Sequence, residues 1–176
     1  MAKKVAILAV NPVNGFGLFQ YLETFFENGI SYRVYAVAES KEIRTNSGIA
    51  LTVDDTVANL KGHEDDYDAL VFACGDAIPV FARHASEQPN QDMLAVIKAF
   101  ADKGKLMVGH CAAALIFDIA GAAQGRRVAL HPMVKNAVQH ATGTDSAFEV
   151  DGNYLTAQDE KHLAALIPSV LEALKA

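Results

Sequence analysis

Short apolar runs alternate with amphipathic stretches along the whole chain, and that alternation constrains the fold more than any other feature. "KVAILAV" (4–10), "YRVYAVA" (32–38), "DALVFACGD" (68–76) and "KLMVGH" (105–110) are dominated by apolar and β-branched residues, as strands buried in a parallel sheet are. Between the first two, residues 16–29 place Leu18, Leu22 and Phe25, with Phe19 and Phe26, at helical spacing, and Asn28-Gly29 is a helix stop. Residues 90–104 form an amphipathic helix ending at Gly104. Residues 111–121 read as a further helix, and 158–176 as a closing helix bent near Pro168. Residues 42–53 hold Asn46-Ser47-Gly48 between short apolar pieces, a small hairpin, and Asp55 then caps a short helix. "RRVALHP" (126–132) is a short strand halted by Pro132, and "AFEVDGNYLTA" (147–157) is a hairpin about Asp151-Gly152. Strand and helix in alternation predict one α/β domain over residues 1–176, a mostly parallel sheet with helices on both faces.

The bulk properties narrow the function. A chain of 176 residues supports one sizeable core. With 51% hydrophobic and 20% charged residues it is globular rather than disordered. Its net charge of −6, from 15 basic and 21 acidic residues without a Lys/Arg cluster, argues against nucleic acid or an anionic membrane as partner. The apolar run near the N-terminus is short for a signal peptide and is followed by Asn11-Pro12. No stretch is apolar for long enough to span a bilayer. Two cysteines make no disulfide framework, so the expectation is a cytoplasmic protein with reduced thiols. The histidines show no metal-ligand spacing, and His63, His84, His140 and His162 read as solvated. Neither G-x-G-x-x-G nor G-K-[ST] is present. No metal and no cofactor is expected.

In an open parallel sheet the ligand site lies beyond the carboxyl ends of the strands. That rule nominates Asn11 to Gly17, Cys74 to Asp76, Cys111, His131-Pro132 and Gln158-Asp159. Among them, Gly109-His110-Cys111-Ala112-Ala113 has the small-x-nucleophile-x-small form of a nucleophile elbow, set between a strand and a helix. A helix N-terminus favours the thiolate of Cys111. The backbone N–H groups of Ala112 and Gly75 are candidate oxyanion donors. The pentapeptide by itself is also compatible with a buried, inert cysteine in an alanine-rich helix start.

"MVGHCAAALIFDIAG", with "LVFACGD" before it and "VALHPM" after it, resembles the PfpI/ThiJ superfamily over essentially the whole chain. That group is class I glutamine amidotransferase-like. It contains intracellular cysteine peptidases, the parkinsonism-associated protein deglycase, glyoxalase-type enzymes and stress chaperones. The resemblance implies a three-layer flavodoxin-like sandwich. It implies Cys111 as nucleophile, Gly75 and Ala112 as oxyanion-hole amides, and His131 near the cysteine. The implied function is a cysteine-dependent hydrolase or amidase, or a glyoxalase/deglycase-like enzyme, acting on a small substrate. The alternative is a redox-sensing or chaperone-like stress protein without turnover. Members are commonly homodimers or larger homo-oligomers. Two positions depart from the pattern. Gly17 stands where deglycase-like members have a first-loop glutamate. Ala112 stands where peptidases have a histidine. His131, oriented by a carboxylate such as Asp159, is the candidate base, or else a strand-end histidine bonded to backbone; Asp76 and Glu23 are other loop carboxylates. Asn11 and Asn14 bind a polar substrate or shape the first turn. Cys74 replaces a glycine common in relatives. It is a candidate resolving thiol or a small buried residue. His110 is expected to pack, with its side chain away from the nucleophile's face.

Overall fold

The computed structural model of the chain describes residues 2–176. Its central sheet has seven strands in the order β10-β11-β7-β6-β1-β2-β5, and every pairing is parallel except β10 with β11. The strands are β1 (Lys4–Ala9), β2 (Ser31–Ala36), β5 (Asp55–Thr56), β6 (Ala69–Ala73), β7 (Leu106–His110), β10 (Phe148–Asp151) and β11 (Tyr154–Ala157). A hairpin of β3 (Glu42–Arg44) and β4 (Ala50–Thr52) stands apart, as does a parallel pair of β8 (Arg127–Ala129) and β9 (Thr142–Thr144). Among the described residues the α-helices are α1 (Gly15–Glu27), α2 (Phe81–His84), α3 (Gln88–Asp102), α4 (Ala113–Ile119) and α5 (Leu163–Lys175), with short 3-10 turns between strands.

The apolar runs are continuous because both faces of the sheet are covered. Along β1, Ala6, Leu8 and Val10 face the layer of α3 and α4, while Val5, Ile7 and Ala9 face the layer of α1 and α5. The same alternation runs along β6, where Leu70, Phe72 and Cys74 share the first face. The three-layer α/β sandwich is as expected. One local expectation changes, and one short strand finds its place. Asp55 ends up in strand β5; its carboxylate accepts from the Thr56 N–H and the Asn59 amide without capping the short helix that follows. The 126–132 segment contributes β8 to the small separate sheet, tied back by the Ala129 N–H bonding Thr156 Oγ1 at 2.9 Å.

One buried carboxylate holds the segment that covers the strand ends. Asp118 on α4 is 4% exposed and accepts backbone N–H groups from Gln139, His140 and Ala141 at 2.7, 3.0 and 2.7 Å. Removing it orphans three donors at once. Asp118→Ala is expected to lower unfolding free energy by about 2–4 kcal/mol, since each buried unmet donor costs roughly 1–3 kcal/mol and solvent can recover part of that. A urea melt showing a lower midpoint at unchanged slope checks it.

Candidate active site

The ends of β6 and β7 meet at two thiols. Cys111 follows β7 directly and is the only described non-glycine residue with positive φ, at 59°. The turn is tight because β7 and α4 touch: a Cβ on Gly109 would lie 2.4 Å from the Cβ of Ala113. The elbow is pinned on both sides, by the Cys111 N–H donating to the Ala157 carbonyl at 3.1 Å and the His131 N–H donating to the Cys111 carbonyl at 2.9 Å. Gly75 is required for a second close approach. A Cβ there would sit 2.2 Å from the Pro12 carbonyl oxygen and 2.6 Å from Val13 Cα.

The two sulfurs share one proton's worth of asymmetry. The Cys74 thiol hydrogen-bonds the Cys111 sulfur, and that bond is the main reason the Cys111 thiol titrates below its ordinary value. Partial burial opposes it, the Ala112 N–H assists it, and the nearby Glu160 and Asp159 carboxylates oppose it. Cys74 is 2% exposed, and its thiol is pushed well up by the same bond and by burial. The thiolate therefore belongs to Cys111. The Ala112 N–H favours the charged form at both sulfurs, and the Gly75 N–H does so at Cys74.

A cavity of about 590 Å3 opens on Cys111. Cys74, Gly75, Ala112, His131, Asn14 and Asp76 all line it, as the sequence predicts. Its walls are apolar, with Ile78, Leu115, Ile116 and Val134 among them. Asn14 is partly engaged already: its Oδ1 caps α1 by accepting the Gly17 N–H at 2.6 Å. Asp76 is paired with Asn46, whose amide donates to it at 3.0 Å. His131 Nδ1 accepts the Met133 N–H at 3.2 Å; no hydrogen bond joins its ring to Cys111 among the described residues.

Three sequence expectations are corrected here. Asn11 does not reach this cavity; it lines a different depression and its Oδ1 accepts the Arg44 N–H at 3.0 Å. Asp159 does not orient His131. Its Oδ1 bonds His162 Nδ1 at 2.7 Å and two backbone N–H groups, because it sits at the turn leading into α5. His162 is correspondingly partnered and not simply solvated. Glu160, one residue further on, is the carboxylate that lines the cavity. No feature of the sequence separates it from Asp159 except its place in that turn.

His110 is the other residue whose role is three-dimensional. It is 1% exposed, packs on Tyr21 of α1, and its Nδ1 lies 3.1 Å from the Tyr21 hydroxyl. Its Nε2 is buried without a hydrogen-bond partner. A Cβ on residue 17 would come within 2.5 Å of that Nε2. The imidazole thus fills the space into which a side chain at residue 17 would project. Burial pushes the His110 ring down to about 4, slightly countered by the Asp159 charge.

That shift fixes a pH dependence. The unfolded ring binds its proton near its ordinary 6.5, the folded ring only near 4. Between those values the unfolded state holds more protons, so stability is complete above pH 6.5 and falls as pH drops toward 4. The loss from this group is about 3 kcal/mol at most. Unfolding measured across that window should show a shallower slope for His110→Gln than for the parent chain. Equal slopes would mean that the ring is not the titrating group.

A family model described as the DJ-1/PfpI family matches residues 3–173. Protein ppBat of Bacteroides thetaiotaomicron is 61% identical over 175 residues, 99% of this chain and 100% of that one. A crystal structure from the same organism, provisionally described as protease I, superposes with a TM-score of 0.97 at 61% identity, covering 98% of this chain and 99% of the other. Drosophila melanogaster DJ-1beta shares the fold at 17% identity, with a TM-score of 0.82 over 99% of this chain and 91% of its own.

Proposed function

The chain belongs to the DJ-1/PfpI family, and we propose on that premise that Cys111 is the nucleophile of a hydrolase, amidase-like or glyoxalase/deglycase-like, acting on a carbonyl-type carbon of a small substrate. The observation that carries this reading is the elbow itself: a strained, half-buried cysteine whose thiol is held low, with the Ala112 N–H among the causes. Such a thiolate attacks a carbonyl carbon, and the carbonyl electron pair moves onto oxygen. The Ala112 and Gly75 N–H groups receive the resulting charge. His131 faces the same cavity and is the group proposed to carry protons between the adduct and solvent. A pocket of about 590 Å3 with apolar walls favours a compact substrate with one polar end. The similarity to a protein provisionally described as protease I supports the hydrolase class. The setting proposed is the cytoplasm, where both thiols stay reduced.

Turnover of glyoxal-type and small amide substrates should fall roughly 10^3-fold or more in Cys111→Ser. Turnover unaffected by that change removes Cys111 as nucleophile. No turnover of any substrate, by parent or variant, favours the alternative of redox sensing without catalysis. The pH profile of Cys111 alkylation should have its midpoint below the free-thiol value of about 8.5. It should move upward in Cys74→Ala, which removes the main cause of the shift.

We further infer that the chain works as a homodimer through α1. Phe16, Phe19 and Phe26 fall on one side of that helix and are 61, 43 and 74% exposed, an apolar stripe that a second copy would cover. Sedimentation should show a dimer for the parent chain and a monomer for Phe16→Glu/Phe26→Glu. A parent chain that sediments as a monomer overturns the inference.

A further inference from the structure

We propose that Cys74 is the resolving thiol of a hydroperoxide-reactive pair: Cys111 is oxidised first, and Cys74 then closes an intramolecular Cys74–Cys111 disulfide. Register places the pair. β6 and β7 run parallel with Phe72 opposite Gly109, and Cys74 and Cys111 each follow directly on the end of one of these neighbouring strands. Both side chains pack into the same apolar cluster, in the layer of α3 and α4. Neighbouring strands lie about 4.8 Å apart, inside the roughly 4.4–6.8 Å range of Cα separations that a disulfide spans. Both cysteines line the same cavity.

Exposure decides the order. Cys74 is 2% exposed, whereas Cys111 is half-buried and opens on the cavity. An oxidant therefore meets Cys111. The apolar walls admit hydrogen peroxide or a small organic hydroperoxide. In the first step the Cys111 thiolate attacks one peroxide oxygen, the O–O bond breaks, and the other oxygen leaves as water or an alcohol after taking a proton. Sulfur has given two electrons to the peroxide, and Cys111 is a sulfenic acid. In the second step the Cys74 sulfur attacks the Cys111 sulfur, the S–O bond breaks, and the departing hydroxide takes the Cys74 proton as water. Overall, two thiols and one hydroperoxide give a disulfide, an alcohol or water, and one further water. A dithiol reductant restores both thiols by exchange.

The disulfide rests on the thiol pair alone. Its consequence for activity rests on the reading of Cys111 as nucleophile: the bridged form has no thiolate and is switched off. The decisive experiment treats the full-length chain with one equivalent of hydrogen peroxide at neutral pH, then maps it by mass spectrometry and counts alkylatable thiols. The parent chain should lose two hydrogen atoms and both free thiols, without forming a cross-linked species on a non-reducing gel, and dithiothreitol should restore it. Cys74→Ser should instead carry oxygen on Cys111 and, with more peroxide, reach a sulfinic acid that dithiothreitol does not reverse. Cys74→Ala provides the same contrast if the serine variant folds poorly by circular dichroism. A parent chain that gains oxygen on Cys111 while Cys74 remains alkylatable overturns the proposal, and so does a disulfide that links two chains. If the intramolecular bridge forms but no substrate is ever turned over, the resolving role stands and the catalytic reading fails.

Discussion

The site depends on one contact: β7 and α4 approach so closely that the methyl of Ala113 leaves no space for a Cβ on Gly109. The chain has to reverse within two residues, and Cys111 takes the left-handed conformation as a result. For a residue with a side chain that conformation costs roughly 1–2 kcal/mol. Hydrogen bonds to Ala157 and His131 on either side hold it in place. Gly75 repeats the device on the neighbouring strand, where the backbone of Pro12 and Val13 leaves no space for a Cβ. Two glycines thus bring three strand ends together. Ala112 and Gly75 reach the cavity because of those approaches, not because of any side-chain chemistry.

Around that contact the polar groups are distributed by burial. Of two touching thiols only one can be ionised at modest cost, and the more exposed Cys111 takes the charge while the buried Cys74 keeps its proton. Tyr21 and His110 lie deeper, and both are held neutral by desolvation. The imidazole stands in the volume that Gly17 leaves open. A neutral ring leaves the hydrogen bond from Cys74 as the main influence that lowers the Cys111 thiol.

The layers, the strand sequence and the elbow were legible in the sequence because each has a local signature. Apolar runs mark strands covered on both faces, and small residues two before and two after Cys111 mark the turn. Gly75, Ala112, Asn14, Asp76, His131 and Cys74 were found by position at strand ends, and the topology brings them to one cavity. Asn11 failed the same rule because its side chain turns to the β3 strand and bonds the Arg44 N–H. Asp159 failed because a carboxylate just before a helix has nearer partners in the turn leading into that helix than across a cavity. The fit of His110 against Gly17 left no local trace. The two positions are 93 residues apart in the chain, and only the packing of α1 on β7 brings one against the other.

The identity of the activating group has a consequence for the chemistry of the whole site. In this chain the nearby carboxylates, Glu160 and Asp159, act against the Cys111 thiolate, and a second thiol acts for it. A carboxylic acid could stabilise a thiolate without reacting with it. A thiol cannot be so inert: the hydrogen bond that favours the Cys111 anion also keeps a second sulfur in contact with it. Once Cys111 is oxidised, that sulfur is the nearest nucleophile. Activation and oxidative capture therefore share one side chain. A substitution at Cys74 that weakens one weakens the other, because both depend on the same cross-strand pair at the ends of β6 and β7.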